Sequence, residues 1–480
     1  MSKLGYENLF DFQKKIFDEI KSKKNHALFL SMGTGKTVLA CVLADHKYNL
    51  YERTLRTIVF CPLVTFKSWK DHFEKWTTTH ARSIAMVKGR TPQKKIDIIE
   101  KPYHQVLIIN YEILASKRIV AALMGFKPEM VFCDESHRIK RYSSICTREV
   151  IKISKTAKYK YLLSGTPITN ECVDVWSQFL FLDGGETFGR KMTEFKARYM
   201  INENAQWCSS GRSNAFPKWK MNPRKADDFR AKLQSKSHRL KTSDVVELPE
   251  LRTEICPIDV TPEQARHLKE VRNDLITYVD NNADDPLVVQ NALTKLLRMN
   301  EITSGYLRLE SGEVVRLTQN PRIHACMDLI EASHPHKVIV FCVFRQNYAD
   351  LERELTKRDI EYARLTGDTP TDMKLKVAEE FNTPDGGPRV LIANTRAAGL
   401  GVNLKGARYK IYYSRNYSLD DYLQSQARNY RAGSIEYHDK VVDYHLVSNG
   451  TIDEQILEAV LNKKKFAENL TDFKKMLMKI

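Results

Sequence analysis

Three short stretches carry residue types that can act on phosphate. In "LFLSMGTGKTVLA" (28–40) a glycine-rich turn lies between an apolar run and a helical pattern. Backbone N–H groups from Gly33, Thr34, Gly35, Lys36 and Thr37, gathered at a helix N-terminus, can cradle phosphate oxygens. Lys36 would reach the β- and γ-phosphates, and Thr37 would offer its hydroxyl to Mg²⁺. The strict phosphate-loop pattern asks for glycine at position 30, where this chain has Leu30. The physical context is kept nonetheless, since GxGKT follows a strand-like run and opens a helix. In "MVFCDESHRIK" (130–140) two adjacent carboxylates end an apolar run. Asp134 can hold Mg²⁺, and Glu135 can orient and polarise an attacking water. His137 is placed to sense the γ-phosphate or to couple it to a second ligand. In "SQARNYRAG" (425–433) Arg428 and Arg431 stand three apart. Alone, such a pair reads as a solvated helix face. Beside the other two stretches it reads as a pair of cations for the charge that develops on a transferring phosphoryl group, both on one face of a helix.

Chemistry of this kind needs strands to hold the loops. "ALFL" (27–30), "TIVFC" (57–61), "QVLIIN" (105–110), "MVFCD" (130–134) and "KYLLSG" (160–165) read as buried strands, each followed by a polar loop and a helical pattern. The rhythm resumes with "KVIVFC" (337–342), "RVLIAN" (389–394), "YKIYYS" (409–414) and "VVDYHLV" (441–447). Strands alternating with helices predict parallel sheets covered on both faces. The expected fold is therefore α/β, with one lobe over residues 1–182, a second over 316–480 and a helical insertion over 183–315. Within the insertion, 262–279 and 288–302 have helical periodicity. The stretch 218–241 carries nine Lys or Arg against two Asp, a charged stripe on a protruding helix that could grip a nucleic-acid strand.

The whole-chain balance agrees with such a partner. Against 59 Asp and Glu stand 76 Lys and Arg, a formal charge of +17, which points to a polyanion, nucleic acid above all. A hydrophobic content of 42% in 480 residues supports packed cores and excludes a disordered chain. The nine cysteines include no CxxC pair, which argues against a zinc cluster or disulfide framework and for free thiols in a reducing compartment. "MSKLGYENLF" has no basic-then-apolar signal pattern, and no apolar run approaches a membrane span. A cytoplasmic protein, of a bacterium or a virus-infected cell, is expected.

Taken in order, these stretches resemble the motifs of superfamily 2 helicases, and more closely the SNF2-like (SWI2/SNF2) branch of double-stranded DNA translocases, in a compact phage- or bacterial-type form. Gln13 in "LFDFQKKIFDEI" is similar to the glutamine that reads adenine. "MGTGKT" resembles motif I, "CPLVTFKSWKDHFEKW" (61–76) motif Ia, "LIINYEIL" (107–114) motif Ib, "DESHRIK" motif II and "LSGTPITN" (163–170) motif III. "VIVFCVFRQNYADLEREL" (338–355), "ANTRAAGLGVNL" (393–404) and "QSQARNYRAG" resemble motifs IV, V and VI. The resemblance implies two RecA-like lobes and an ATP-driven translocase, a monomer acting on double-stranded or branched DNA with ATP and Mg²⁺. A strand-separating helicase and an inactive ATP-binding scaffold on nucleic acid are the alternatives. By the same resemblance Gly401 belongs to the nucleotide site, and His137 and Gln424 couple it to DNA. Lys67, Tyr111, Thr166, Thr395, Arg396, Lys218, Lys220, Arg239 and Lys241 are the expected DNA contacts. The chain departs from the family pattern at Ser136 (usually Ala), Ala427 (acidic), Tyr430 (His), Ser434 (Gln) and Lys374 (Arg).

Overall fold

A computed structural model describes residues 4–168, 172–202, 219–281, 287–309, 311–384, 386–395, 403–431 and 433–471. Among these the chain forms two compact units, one from 4–202 with 219–246 and one from 247–464.

The first unit is built on strands β1 (Asn25–Leu30), β2 (Thr57–Phe60), β3 (Ile84–Met86), β4 (Val106–Ile109), β5 (Met130–Asp134), β6 (Tyr159–Leu163) and β7 (Ser237–Leu240). They form one seven-stranded sheet in the order β3-β4-β2-β5-β6-β1-β7. Every pairing is parallel. Both faces are covered, so the inner strands are mostly apolar, and alternate residues enter opposite cores. Phe29, Ile58, Phe60, Leu107 and Ile109 join one cluster. Leu28, Leu30, Val59, Ile108 and Phe132 join the other. Each such side chain contributes about 1.5–3 kcal/mol on burial. Helices α1 (Asp11–Ile20), α2 (Lys36–Tyr51) and α3 (Phe66–Trp76) supply the second cluster with Ile16, Phe17, Leu39, Leu43, Trp69 and Phe73.

The second unit holds β8 (Glu250–Ile258), β9 (Lys337–Cys342), β10 (Tyr362–Leu365), β11 (Val390–Asn394), β12 (Ala407–Tyr412) and β13 (Lys440–Ser448). The six-stranded sheet runs β8-β13-β12-β9-β11-β10, again with every pairing parallel. Val338, Val340, Ile392, Ile411 and Leu446 meet Met327, Ile330, Leu351 and Leu355 of the helices Pro321–Ala332 and Arg345–Lys357.

The α/β fold with two parallel sheets is as the sequence predicts. The stretch expected as a helical insertion divides between the units. Helices do span Pro262–Asn281 and Leu287–Thr303. The basic stretch, however, is no continuous helix: a short strand at Trp219–Met221 and a helix at Ala226–Ser235 lead into β7. β7 pairs with β1, from Ala27 beside Ser237 to Leu30 beside Leu240, and so completes the first sheet. Strand β8 joins the second sheet through nine register pairs with β13. Among the described residues no helix is long and apolar enough to cross a membrane. The described cysteines are free thiols.

Candidate active site

The phosphate loop leaves the C-terminal end of β1 and turns at Met32–Thr34 into α2. Gly33 and Gly35 hold φ of 81° and 82°, a left-handed region that favours glycine. A Cβ on Gly35 would also stand 2.2 Å from Gln13 Nε2. That carboxamide is buried and bonded at both ends. Its Nε2 donates to the Thr34 carbonyl at 2.9 Å, and its Oε1 accepts from the Phe10 N–H at 3.0 Å. Gln13 therefore ties α1 to the loop and keeps one N–H and one lone pair for a further partner. From the other side β7 braces the loop: the Ser31 N–H donates to the Leu240 carbonyl and Thr242 Oγ1 to the Met32 carbonyl, both at 2.9 Å. Lys36 Nζ donates to the carbonyls of Leu30 (2.8 Å) and Ser31 (3.2 Å), at the mouth of the loop. Thr37 is in the first turn of α2.

Two strands away in the sheet, β5 ends in Asp134 and Glu135. The Asp134 carboxylate accepts from Trp69 Nε1 at 2.8 Å and from the Glu135 N–H at 3.0 Å. Its carbonyl accepts from the Tyr111 hydroxyl at 2.6 Å. Burial, then the negative charge of Glu135, pushes the Asp134 carboxyl up to about 6, against the pull of the Trp69 hydrogen bond and the Lys36 charge. Lys36 and Asp134, 98 positions apart in the chain, thus share one electrostatic environment. Glu135 has φ 48° and ψ 55°, a left-handed conformation costing about 1–3 kcal/mol, and unlike Glu52 and Lys127 it does not close an α-helix. His137 Nδ1 is 3.4 Å from its carboxylate. The Asp134 carboxylate and the Thr37 hydroxyl are hard oxygen donors of the kind Mg²⁺ takes. Each Asp134 oxygen keeps lone-pair capacity beyond the hydrogen bond it accepts, so the residues fit that ion.

One connection was not legible as a motif. Ser136 Oγ donates to Gln178 Oε1 at 2.7 Å, and Gln178 Nε2 donates to the Pro167 carbonyl at 2.7 Å. The fully buried Gln178 thus joins the DESH turn to the loop containing Thr166. The hydroxyl that starts this link comes from a position where the family pattern has alanine.

In the second unit the helix Leu419–Gln426 stops short of both arginines. They stand in the turn that follows, not on one helix face as expected. Their chain is held by local bonds: Arg428 N–H to the Ser425 carbonyl, Leu404 N–H to the Arg428 carbonyl, Arg431 N–H to Ser434 Oγ. Ser434, where the family has Gln, thus caps the turn. Below it lies an ion pair buried completely, Lys410 Nζ to Asp443 Oδ1 at 2.9 Å. Lys410 also donates to the Gln426 carbonyl, and Gln426 Nε2 donates to Asp443. Arg428 is 2% exposed. Burial lowers the Arg431 guanidinium below its ordinary value. Tyr430 is half-buried, its phenol raised by burial and then by Asp443. Gln424 is half-buried on the preceding helix.

The expected DNA contacts scatter. Lys67 is exposed in the first turn of α3, Lys220 is exposed, and Thr166 is half-buried in the loop after β6. Thr395 is buried where β11 ends. Arg239 and Lys241 are half-buried on and just after β7, beside the phosphate-loop strand and not on a protruding helix. Tyr111 is a correction. It is 3% exposed and stacks on Phe60, because the short helical turn Tyr111–Ala115 after β4 directs it inward. Arg396, Gly401 and Lys218 lie outside the described residues.

A family model described as SNF2-related domain matches residues 16–304, and one described as helicase conserved C-terminal domain matches 321–433. The chain is 25% identical over 463 residues to Protein CHROMATIN REMODELING 5 of Arabidopsis thaliana, covering 90% of this chain and 25% of that one. It is 26% identical over 482 residues to the DNA repair and recombination protein RAD54-like of Drosophila ananassae, covering 92% and 59%. It thus spans between a quarter and three-fifths of the length of these relatives. A solved structure titled Sulfolobus solfataricus SWI2/SNF2 ATPase core in complex with dsDNA aligns over 96% of this chain and 92% of that chain, with 22% identity and a TM-score of 0.43.

Proposed function

Because the chain belongs to the SNF2-related domain family, we propose that it hydrolyses ATP and uses the energy to move along double-stranded DNA. The observation that carries the reading is that, in one unit, the Asp134 carboxyl feels both the Lys36 ammonium and the adjoining Glu135 carboxylate, at the C-terminal ends of β1 and β5. Phosphoryl transfer asks little covalent chemistry of a protein and much positioning and charge stabilisation. The N–H groups from Gly33 to Thr37 cradle the phosphates, and Lys36 leaves the Leu30 and Ser31 carbonyls to reach the outer ones. Gln13, already bonded to the loop, offers its remaining N–H and lone pair to the adenine edge. Asp134 and Thr37 hold Mg²⁺, which when bound neutralises charge on the phosphate oxygens. Glu135 aligns the attacking water, its carboxylate 3.4 Å from His137 Nδ1. Arg428 and Arg431, carried by the second unit, are the cations that meet charge developing on the γ-phosphate.

The DNA assignment rests on the family and on the +17 charge. Exposed Lys67 and Lys220 and the loop at Thr166 are the contacts we retain, acting on backbone phosphates without reading sequence. ATPase rates with duplex, single-stranded, forked and four-way DNA and with RNA test the reading. Duplex-containing DNA should stimulate turnover more than RNA does. A rate that is indifferent to polymer, or highest with RNA, contradicts it.

A further inference from the structure

The residues around Asp134 assign a role to an aromatic that the motif pattern marks without explaining. Trp69, on α3, is 1% exposed and packs against the rings of Phe73 and Phe132, at 6.0 and 6.1 Å between centroids. A phenylalanine would serve that packing. What indole adds is an N–H, a donor without acceptor capacity that must find a partner when buried. The partner it finds is Asp134 Oδ2.

The carboxylate's other hydrogen bond comes from the adjoining Glu135 N–H. Trp69 is therefore the one side-chain donor to it from another element among the described residues. The Tyr111 hydroxyl meanwhile fixes the backbone carbonyl of the same residue. Asp134 is thus gripped at two points, by one aromatic from the segment after β2 and one from the segment after β4. Neither aromatic is exposed enough to meet a polymer.

We infer that Trp69 is a positioning residue for the metal-binding carboxylate: its indole N–H fixes the orientation in which Asp134 presents its oxygens to Mg²⁺ beside the phosphates. The inference rests on the ATP-site reading above. Outer-shell partners of this kind are typically worth about 10–100-fold in metal affinity or activity.

The test uses the full chain and Mn²⁺ as the probe, with bound ion counted by electron paramagnetic resonance in the presence of ADP, so that no turnover is required. Trp69→Phe keeps a ring in the pocket and removes the donor. It should weaken Mn²⁺ binding by about 10–100-fold and leave metal-free ADP binding unchanged. Phe73→Leu disturbs the same packing while keeping the donor, and should leave Mn²⁺ affinity at the wild-type level. Should Trp69→Phe fail to fold, 3-benzothienylalanine at position 69, which has the indole's shape without its N–H, should give the same weakening. Unchanged Mn²⁺ affinity in the donor-less variant overturns the inference, as does an equal loss in Phe73→Leu, which would make packing the cause. Wild-type protein that takes up no Mn²⁺ with ADP would instead overturn the ATP-site reading beneath it.

Discussion

Replacing Gly35 by alanine probes the joint between α1 and the phosphate loop, and its cost can be worked from two parts. The first is conformational. At φ 82° an alanine Cβ crowds the following carbonyl, which costs roughly 1–2 kcal/mol. The second is a collision. The new methyl would sit 2.2 Å from Gln13 Nε2, so the carboxamide must leave. It then gives up its bonds to the Thr34 carbonyl and the Phe10 N–H, each worth about 1 kcal/mol net. Gly184, at φ 70° with nothing within 4 Å of its added Cβ, supplies the conformational part alone. Gly35→Ala should therefore destabilise the first unit by about 2 kcal/mol more than Gly184→Ala. In a Gln13→Ala background the collision disappears, and the two glycine substitutions should cost about the same. Urea unfolding followed by tryptophan fluorescence, with Trp207 replaced by Phe in every variant, reads this unit, because the other four of the chain's five tryptophans, Trp69, Trp76, Trp176 and Trp219, belong to it. Equal costs in the wild-type background, or a difference that survives Gln13→Ala, refute the proposed joint.

Other outcomes follow from single sites. Lys36→Ala should abolish ATP turnover, and turnover at the wild-type rate would remove Lys36 from the phosphates. Asp443→Asn should leave the fully buried Lys410 cation without its counter-charge and destabilise the second unit by about 3–5 kcal/mol in chemical unfolding followed by circular dichroism. Replacing both by Met and Leu should cost far less, and a single-variant loss under about 1 kcal/mol would contradict the pair's burial. Burial, with the neighbouring His238 and Lys23, holds His26 down to about 2, below its ordinary 6.5. The unfolded chain thus takes up a proton that the folded one refuses. Its contribution is intact above pH 6.5 and is lost by about 1.4 kcal/mol per pH unit below that. His26→Gln should flatten the pH dependence between pH 6 and 4 by about one proton, whereas an unchanged slope would place the uptake elsewhere.

The strands that the sequence shows and those it hides divide by position in the sheet. The nine strands legible as apolar runs occupy every interior position of the two sheets. The four strands of these two sheets that were not, β3, β7, β8 and β10, are their four edges. An interior parallel strand is buried on both faces and is mostly apolar, with paired exceptions such as Lys410 and Asp443, whereas an edge carries exposed or half-buried polar and charged residues such as the His238 and Arg239 of "SHRL". This is also why the basic stretch read as one charged helix. The site's first half was legible because its chemistry is local in sequence: a loop closing on a helix, two carboxylates ending a strand. What was not legible is side-chain direction. Tyr111 has the spacing of a loop residue and points into the core, and the periodicity that put Arg428 and Arg431 on one helix face continued past the point where the helix stops, at Gln426.

The central claim is movement along duplex DNA driven by ATP, and displacement of a third strand from a DNA triplex reads it directly, since a translocase strips that strand without unwinding the duplex beneath. The wild-type chain should release the third strand only with ATP and Mg²⁺, and Lys36→Ala should release none. A wild-type chain that hydrolyses ATP on the same DNA and leaves the triplex intact would contradict the account.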